Sequence, residues 1–378
     1  MLLVTSPKAL LINGQVDNSV AQVLIEAVRD NHIVGVTSNQ AKPDWFDGIF
    51  AGTGVQFQQE IGRRDGGIIK RTAEKQGLAP QDVLVLAASQ NDIAMGKNGK
   101  AVIVAAGWTN EPKVLDLGIQ VATPNSLREI LHLTSEWDGK WWFTGEGASF
   151  SLHVLSDLST FGKDFDQQQF RSNLTNTIKN GGPRLNALLA MTARSMLAQG
   201  IGSLPRLLWG VFPSSTSNNS DSEVLSDFTH RLRTTVSNVR MARRGEPLFI
   251  RHRPSTKRSA AGAGVDRLDP CEQVETIHIN PAYSTNVAGR NVIVVDDCTT
   301  YGVSFGVAAG LLKKAGAESV TCISLGKFGR SLRDFQVQIT GDPFKPLSFK
   351  EGAICHANPF FSGQENSSSQ AALKALLG

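Results

Sequence analysis

The chain is poor in cysteine, has little net charge for its length and contains no long apolar run. The four cysteines, Cys271, Cys298, Cys322 and Cys355, form no C-x-x-C pair and lack the dense spacing of a disulfide-stapled secreted domain, so free thiols in a reducing compartment are expected. His230, His252 and His278 show no H-x-x-H spacing, and Cys355 and His356 are adjacent rather than spaced, which argues against structural zinc. No window approaches the roughly eighteen consecutive apolar residues of a membrane span. The opening "MLLVTSPKALLINGQ" is too short and too weakly charged for a signal peptide. The expectation is a soluble, cytoplasmic protein with no membrane partner. A formal charge of +4 permits an anionic ligand without requiring a nucleic acid.

What is present is an ordinary globular composition, 41% apolar and 19% charged, in a chain whose length suggests about two domains. "LLVT" at residue 2, the amphipathic "SVAQVLIEAVRDNH" and "IVGVTSN" read as a β-α-β opening. "GGIIKRTAEKQGL", "DVLVLAAS", "KAVIVAAG", "IQVATP" and "NSLREILHLT", the last capped by Asn125 or Ser126, continue an alternating pattern that predicts a mostly parallel sheet up to residue 134. Residues 135–204 read as a linker and helical segment. Its "SEWDGKWWFTGEG" is either a tryptophan-bearing connection that packs between domains or a surface on which a base stacks. Residues 205–378 form a second α/β domain, with strands at "RLLWGVF", "PLFIRH", "TIHIN", "NVIVVDD" and "SVTCISLGKFG" and helices at "SEVLSDFTHRLRTTVSNVRMA" and "SFGVAAGLLKKAG". The fold class expected is therefore α/β, with two parallel-sheet domains.

The most chemically loaded stretch is "NVIVVDDCTTYGVSFG", where Asp296 and Asp297 end a run of β-branched residues and hydroxyls and glycines follow. Ligands of parallel sheets gather beyond the carboxyl ends of strands. Adjacent acids at a strand tip point to opposite sides and suit a diol, and free N–H groups at the next helix start attract an anion. The plainer alternative is a capped helix after a strand, with both aspartates merely solvated.

Residues 292–304 resemble the phosphoribosyl pyrophosphate signature of the type I phosphoribosyltransferases, although Tyr301 stands where threonine is usual. The resemblance implies that Asp296 and Asp297 hold ribose hydroxyls and Mg2+, and that Thr299, Thr300, Tyr301, Gly302, Val303 and Ser304 cradle the 5-phosphate. It also implies a pyrophosphate loop at Pro213, Ser214, Ser215 and Thr216, and a mobile basic loop carrying Arg251, Arg253, Lys257 and Arg258. Lys327 and Phe328 fall where the acceptor is met. The activity implied is Mg2+-dependent phosphoribosyl transfer to a nucleobase-like acceptor with release of pyrophosphate. Its alternatives are a silent phosphoribosyl pyrophosphate or nucleotide sensor, or nucleic-acid binding through the basic run. A homodimer is the default assembly.

The first domain resembles a degenerate haloacid-dehalogenase-type (HAD) hydrolase. "VGVTSN" matches the strand ending in a hydroxyl at Thr37 or Ser38, Lys70 falls at the phosphate-binding lysine, and "VLVLAASQNDIAMGKNGKAVIVAAGW" matches the last acidic motif. Ser6 and Lys8 replace the two catalytic aspartates, and Ala88 replaces the first metal-binding acid, leaving Asp92. Such a domain has no nucleophilic carboxylate and few oxygen ligands for magnesium, which implies a fold kept for docking or small-ligand binding.

Overall fold

The computed structural model describes residues 1–236, 245–256 and 266–378. It divides into two compact units: Met1–Lys140, Gly182–Ser203 and His230–Asn238 form the first, and Trp141–Gly181, Leu204–Thr229 and Val239–Gly378 form the second. Both are α/β and each is built on a six-stranded sheet.

In the first unit the strands are β1 (Leu2–Thr5), β2 (Ile33–Ser38), β3 (Gln56–Gln59), β4 (Val83–Ala87), β5 (Val102–Ala106) and β6 (Ile119–Val121). Their order is β3-β2-β1-β4-β5-β6, and every pairing is parallel. β4 and β5 are buried at all five positions, which is why they read as unbroken apolar runs rather than alternating ones. Helix α1 (Asn18–Arg29) begins where the Asp17 carboxylate accepts from the N–H groups of Ser19 and Val20, and it buries Val20, Val23, Leu24 and Ala27 at helical spacing. Helices α2 (Gly67–Lys75) and α3 (Gln90–Gly99) lie in the β3–β4 and β4–β5 crossovers, and α4 (Pro124–Glu136) follows β6. Thr123, rather than Asn125 or Ser126, caps α4, with Pro124 at its first position.

Strand order reverses between β1 and β4. In open parallel sheets such a reversal leaves a crevice beyond the strand ends, because the connecting loops diverge to opposite faces.

The second sheet contains β7 (Phe143–Glu146), β8 (Ser151–Asp157), β9 (Leu207–Val211), β10 (Asn291–Thr299), β11 (Ser319–Lys327) and β12 (Ser362–Glu365). They run in the order β9-β10-β11-β8-β7-β12. The β9, β10, β11 and β8 pairings are parallel, and the β8-β7-β12 edge is antiparallel. Residues expected as linker thus supply two strands of this sheet. The segments Phe249–Arg251 and Ile277–Ile279, expected as members of the main sheet, pair with each other instead as a separate antiparallel ribbon.

Tryptophans 137, 141 and 142 are all buried, which removes the base-stacking reading. In the first unit Trp137 Nε1 donates to Ser195 Oγ at 2.9 Å. Among the described residues no helix is long and apolar enough to cross a membrane.

Candidate functional site

The acidic motif lies in the second unit. β10 does not stop before the acids but continues through them to Thr299, with Asp296 opposite Ser324 and Thr299 opposite Lys327 on β11. Asp296 is therefore a rung of the ladder to β11, whereas the pairing with β9 ends one residue earlier, at Val295. Asp296 is buried, and Asp297 is half-buried. Asp296 Oδ1 accepts from the Asp297 N–H at 2.8 Å, and Asp297 Oδ1 from the Cys298 N–H at 2.5 Å. Burial, and then the neighbouring Asp297 carboxylate, push the Asp296 carboxyl well above the usual carboxylate range.

The turn after β10 is braced by protein. Arg267 Nη2 donates to Thr300 Oγ1 at 3.4 Å, its guanidinium lies 5.5 Å from the centre of the Tyr301 ring, and the Tyr301 carbonyl accepts from the Arg333 N–H at 3.0 Å. Gly302, with φ of 91°, turns the chain into helix α5 (Val303–Lys314), whose Val303 is buried while Ser304 remains partly exposed.

Around this turn the expected loops lie close by, but their groups are already engaged. Arg251 is 4% exposed and grips its own unit: Nη1 donates to Thr276 Oγ1 at 2.7 Å, and Nη2 to the Pro213 carbonyl at 3.0 Å and Gln273 Oε1 at 3.1 Å. The Ser214 and Ser215 carbonyls accept from the N–H groups of Ser217 and Ser255, so residues 213–216 are held as a structured turn. Arg253 pairs with Glu275 at 3.1 Å on the surface. Lys257 and Arg258 lie outside the described residues. Lys327 is 2% exposed, donates to the Gly329 carbonyl and lies 5.4 Å from the centre of the Trp142 ring. Phe328 lies under Arg171, whose guanidinium carbon is 5.3 Å from the ring centre. Both residues expected to meet an acceptor are thus packed within the unit.

A different cavity is open in the first unit, at the strand-order reversal. About 560 Å³ in volume, it is lined by Ser6 and Lys8 beyond β1, Ser38 and Gln40 at the end of β2, Arg63, the Ser89–Asn91 start of α3, and Glu111. Thr5 Oγ1 donates to the Leu86 carbonyl at 2.9 Å and holds the ends of β1 and β4 together. Beneath the cavity sits Asp92, fully buried. Its Oδ2 accepts from Ser6 Oγ at 2.9 Å, Ser89 Oγ at 2.8 Å and the Ala88 N–H at 3.0 Å, while its Oδ1 pairs with Arg63 Nη1 at 2.5 Å. Arg63 is itself 5% exposed, and its Nε is buried without a hydrogen-bond partner. At the rim Lys8 Nζ meets Glu111 Oε1 at 2.7 Å.

Arg63 escaped sequence reasoning because "IGRRDGG" matches no motif. Its one local signal is the pair of glycines, Gly62 and Gly66, whose positive φ brackets a short 3-10 turn and turns the side chain inward. Lys70, expected to bind phosphate, is exposed on α2 and is absent from the cavity lining. Of the two hydroxyl candidates on β2, Ser38 lines the cavity and Thr37 is buried.

No protein-family model and no curated protein matches the chain. Among solved structures, a protein assigned to the HAD hydrolase family from Streptomyces avermitilis MA-4680 matches with 16% identity, a TM-score of 0.24, and coverage of 31% of this chain and 88% of that one. The cobalt-bound deoxy-D-mannose-octulosonate 8-phosphate phosphatase of Haemophilus influenzae matches with 10% identity, a TM-score of 0.28, and coverage of 36% of this chain and 90% of that one.

The phosphoribosyltransferase expectation is corrected by the side chains themselves. Among the described residues no group of three or more His, Cys, Asp or Glu side chains is placed to hold a metal ion. Asp296 is buried with its carboxyl pushed above the usual range, and the turn that follows is braced by Arg267 and Arg333. In the first unit both oxygens of Asp92 are already engaged by an arginine and three hydrogen-bond donors, which leaves that carboxylate unfit for magnesium.

Proposed function

We propose that the first unit is a hydrolase-type fold that no longer hydrolyses, and that it holds a small phosphate-bearing molecule in the cavity at the ends of β1, β2 and β4. The observation that carries this reading is the state of Asp92, whose two oxygens are spent on Arg63, Ser6, Ser89 and the Ala88 N–H. Serine at position 6, lysine at 8 and alanine at 88 leave no carboxylate at the positions that would attack phosphorus or share a metal, and the other acid of the cavity, Glu111, is paired with Lys8 at the rim.

Binding needs fewer groups than catalysis, and these remain. Gln90 and Asn91 line the cavity at the start of α3, where first-turn N–H groups and the helix dipole favour an anion. Ser6, Ser38 and Ser89 supply hydroxyls, and Arg63 and Lys8 supply positive charge. The plain experiment has two arms. Inorganic phosphate and glycerol phosphate should raise the melting temperature of the full chain in a saturable manner, while a phosphomonoester panel with Mg2+ should release no phosphate. Phosphate release that disappears in Asp92→Asn would refute the non-hydrolytic reading, and a flat melting temperature would refute the binding one.

A further inference from the structure

We infer that the Arg63 guanidinium is the resident cation of this cavity, seated on Asp92 where a divalent ion would otherwise go, so that the cavity takes its phosphate-bearing ligand without a metal. The ligand half of this statement rests on the reading above, whereas the cation half stands on its own geometry.

Three observations converge on it. First, the Arg63–Asp92 pair is among the most buried in the molecule, with side-chain exposures of 6% and 0%. A charge so desolvated is held only by a partner of opposite sign and by hydrogen bonds. Second, the remaining oxygen of Asp92 faces Ser6, Ser89 and a backbone N–H, all hydrogen-bond donors. A metal needs lone pairs converging on one point, and here donors converge on the carboxylate. Third, the Arg63 side chain lines the cavity while its Nη1 is bound to Asp92 and its Nε has no partner. The guanidinium is thus committed to Asp92 while the residue still forms part of the cavity wall. Arginine suits this place better than lysine, since its planar fork can bind a carboxylate on one side and a phosphate on the other.

The consequence is a site that chelators do not touch. A divalent ion could return only if a second carboxylate were supplied and the guanidinium were removed. Ser6 is the position to supply it, because its Oγ already lies 2.9 Å from Asp92 Oδ2.

The test measures Mn2+ binding to the full chain by loss of the free-ion electron paramagnetic resonance signal. The wild type, Ser6→Asp and Ser6→Asp/Arg63→Ala are compared. The wild type and the single variant should leave Mn2+ free, and the double variant should bind it at least tenfold more tightly. Wild-type Mn2+ binding that Asp92→Asn abolishes would overturn the inference, as would equal Mn2+ affinity in the single and double variants. Should the double variant not fold, the wild type still decides: its Mn2+ titration, and the phosphate-induced rise in melting temperature measured in EDTA and in excess Mg2+, should show no metal bound and the same rise in both. A rise that needs Mg2+ would overturn the inference. No rise in any buffer would defeat the ligand reading while the Mn2+ arm still reports on the cation.

Discussion

Breaking the Arg63–Asp92 pair from either side should reveal an asymmetry that the structure fixes in advance. In Arg63→Met, Asp92 keeps three donors: Ser6 Oγ, Ser89 Oγ and the Ala88 N–H. In Asp92→Ala, the hydrogen-bond contact left to the buried guanidinium among the described residues is the long one to Met95 Sδ at 3.8 Å. Removing one member of a buried pair typically destabilises by about 3 to 5 kcal/mol, because the remaining charge is stranded out of water. Asp92→Ala should therefore reach the upper end of that range and Arg63→Met the lower. The double variant Arg63→Met/Asp92→Leu, which leaves no stranded charge, should recover most of the loss. With a urea slope of about 2 kcal/mol per M, the Asp92→Ala midpoint of the first unit should fall by about 2.5 M. Equilibrium urea unfolding of the full chain, followed by tryptophan fluorescence, reads this directly. Trp45, Trp108 and Trp137 belong to the first unit, and the transition of the second unit serves as an internal reference. A loss below about 1 kcal/mol in both single variants, typical of exposed pairs, would show that the pair is not the anchor described.

Three further outcomes follow from buried groups in the second unit. Asp296 keeps its proton in the folded state at pH values where the unfolded chain has lost it, so its contribution is present below about pH 3.9 and falls as pH rises, by up to about 1.4 kcal/mol per pH unit, until the native group ionises. Asp296→Asn should flatten that fall in urea titrations across pH, and an unchanged slope would contradict the neutral acid. His153 has the opposite sign: burial lowers its pKa from 6.5 to about 4, so stability is present above pH 6.5 and is lost as pH drops toward 4, and His153→Gln should remove that acid limb. Arg251→Met, which leaves Thr276, Gln273 and the Pro213 carbonyl without their donor, should lower stability by about 3 kcal/mol. If Arg251 were instead a mobile ligand-gripping residue, circular-dichroism melting would show no change.

Strands that are buried on both faces were legible because they must be apolar throughout: "LLVT" is β1 residue for residue, and "DVLVLAAS" and "KAVIVAAG" enclose β4 and β5. β3, "QFQQ", was not, because an exposed edge strand has no apolar signature. β7 and β8 hid in the tryptophan-bearing span, where glycines and acids around the indoles suggested a linker. The site was legible only in part. Ser6, Lys8, Ser38 and Asp92 could be placed by resemblance, since they sit at strand ends or at a helix start whose spacing is local. Arg63 could not, because its partner lies 29 positions away and only the fold brings the two together. The DD motif shows a related limit: sequence displays two adjacent acids but not the burial of one of them.

The order in which the chain visits its two units has a practical outcome. The second unit opens at Trp141 and gives up Gly182–Ser203 to the first before resuming at Leu204. The returning segment carries the helix Pro183–Ala198, which accepts the Trp137 indole through Ser195 and joins Arg194 to Asp82. No single scissors cut between residues 140 and 205 can yield two intact halves. A fragment ending at Lys140 would leave Trp137 and Asp82 with bare partners, so limited proteolysis should nick this molecule without separating it. During synthesis, too, the first sheet must wait for a helix made after the second sheet has begun.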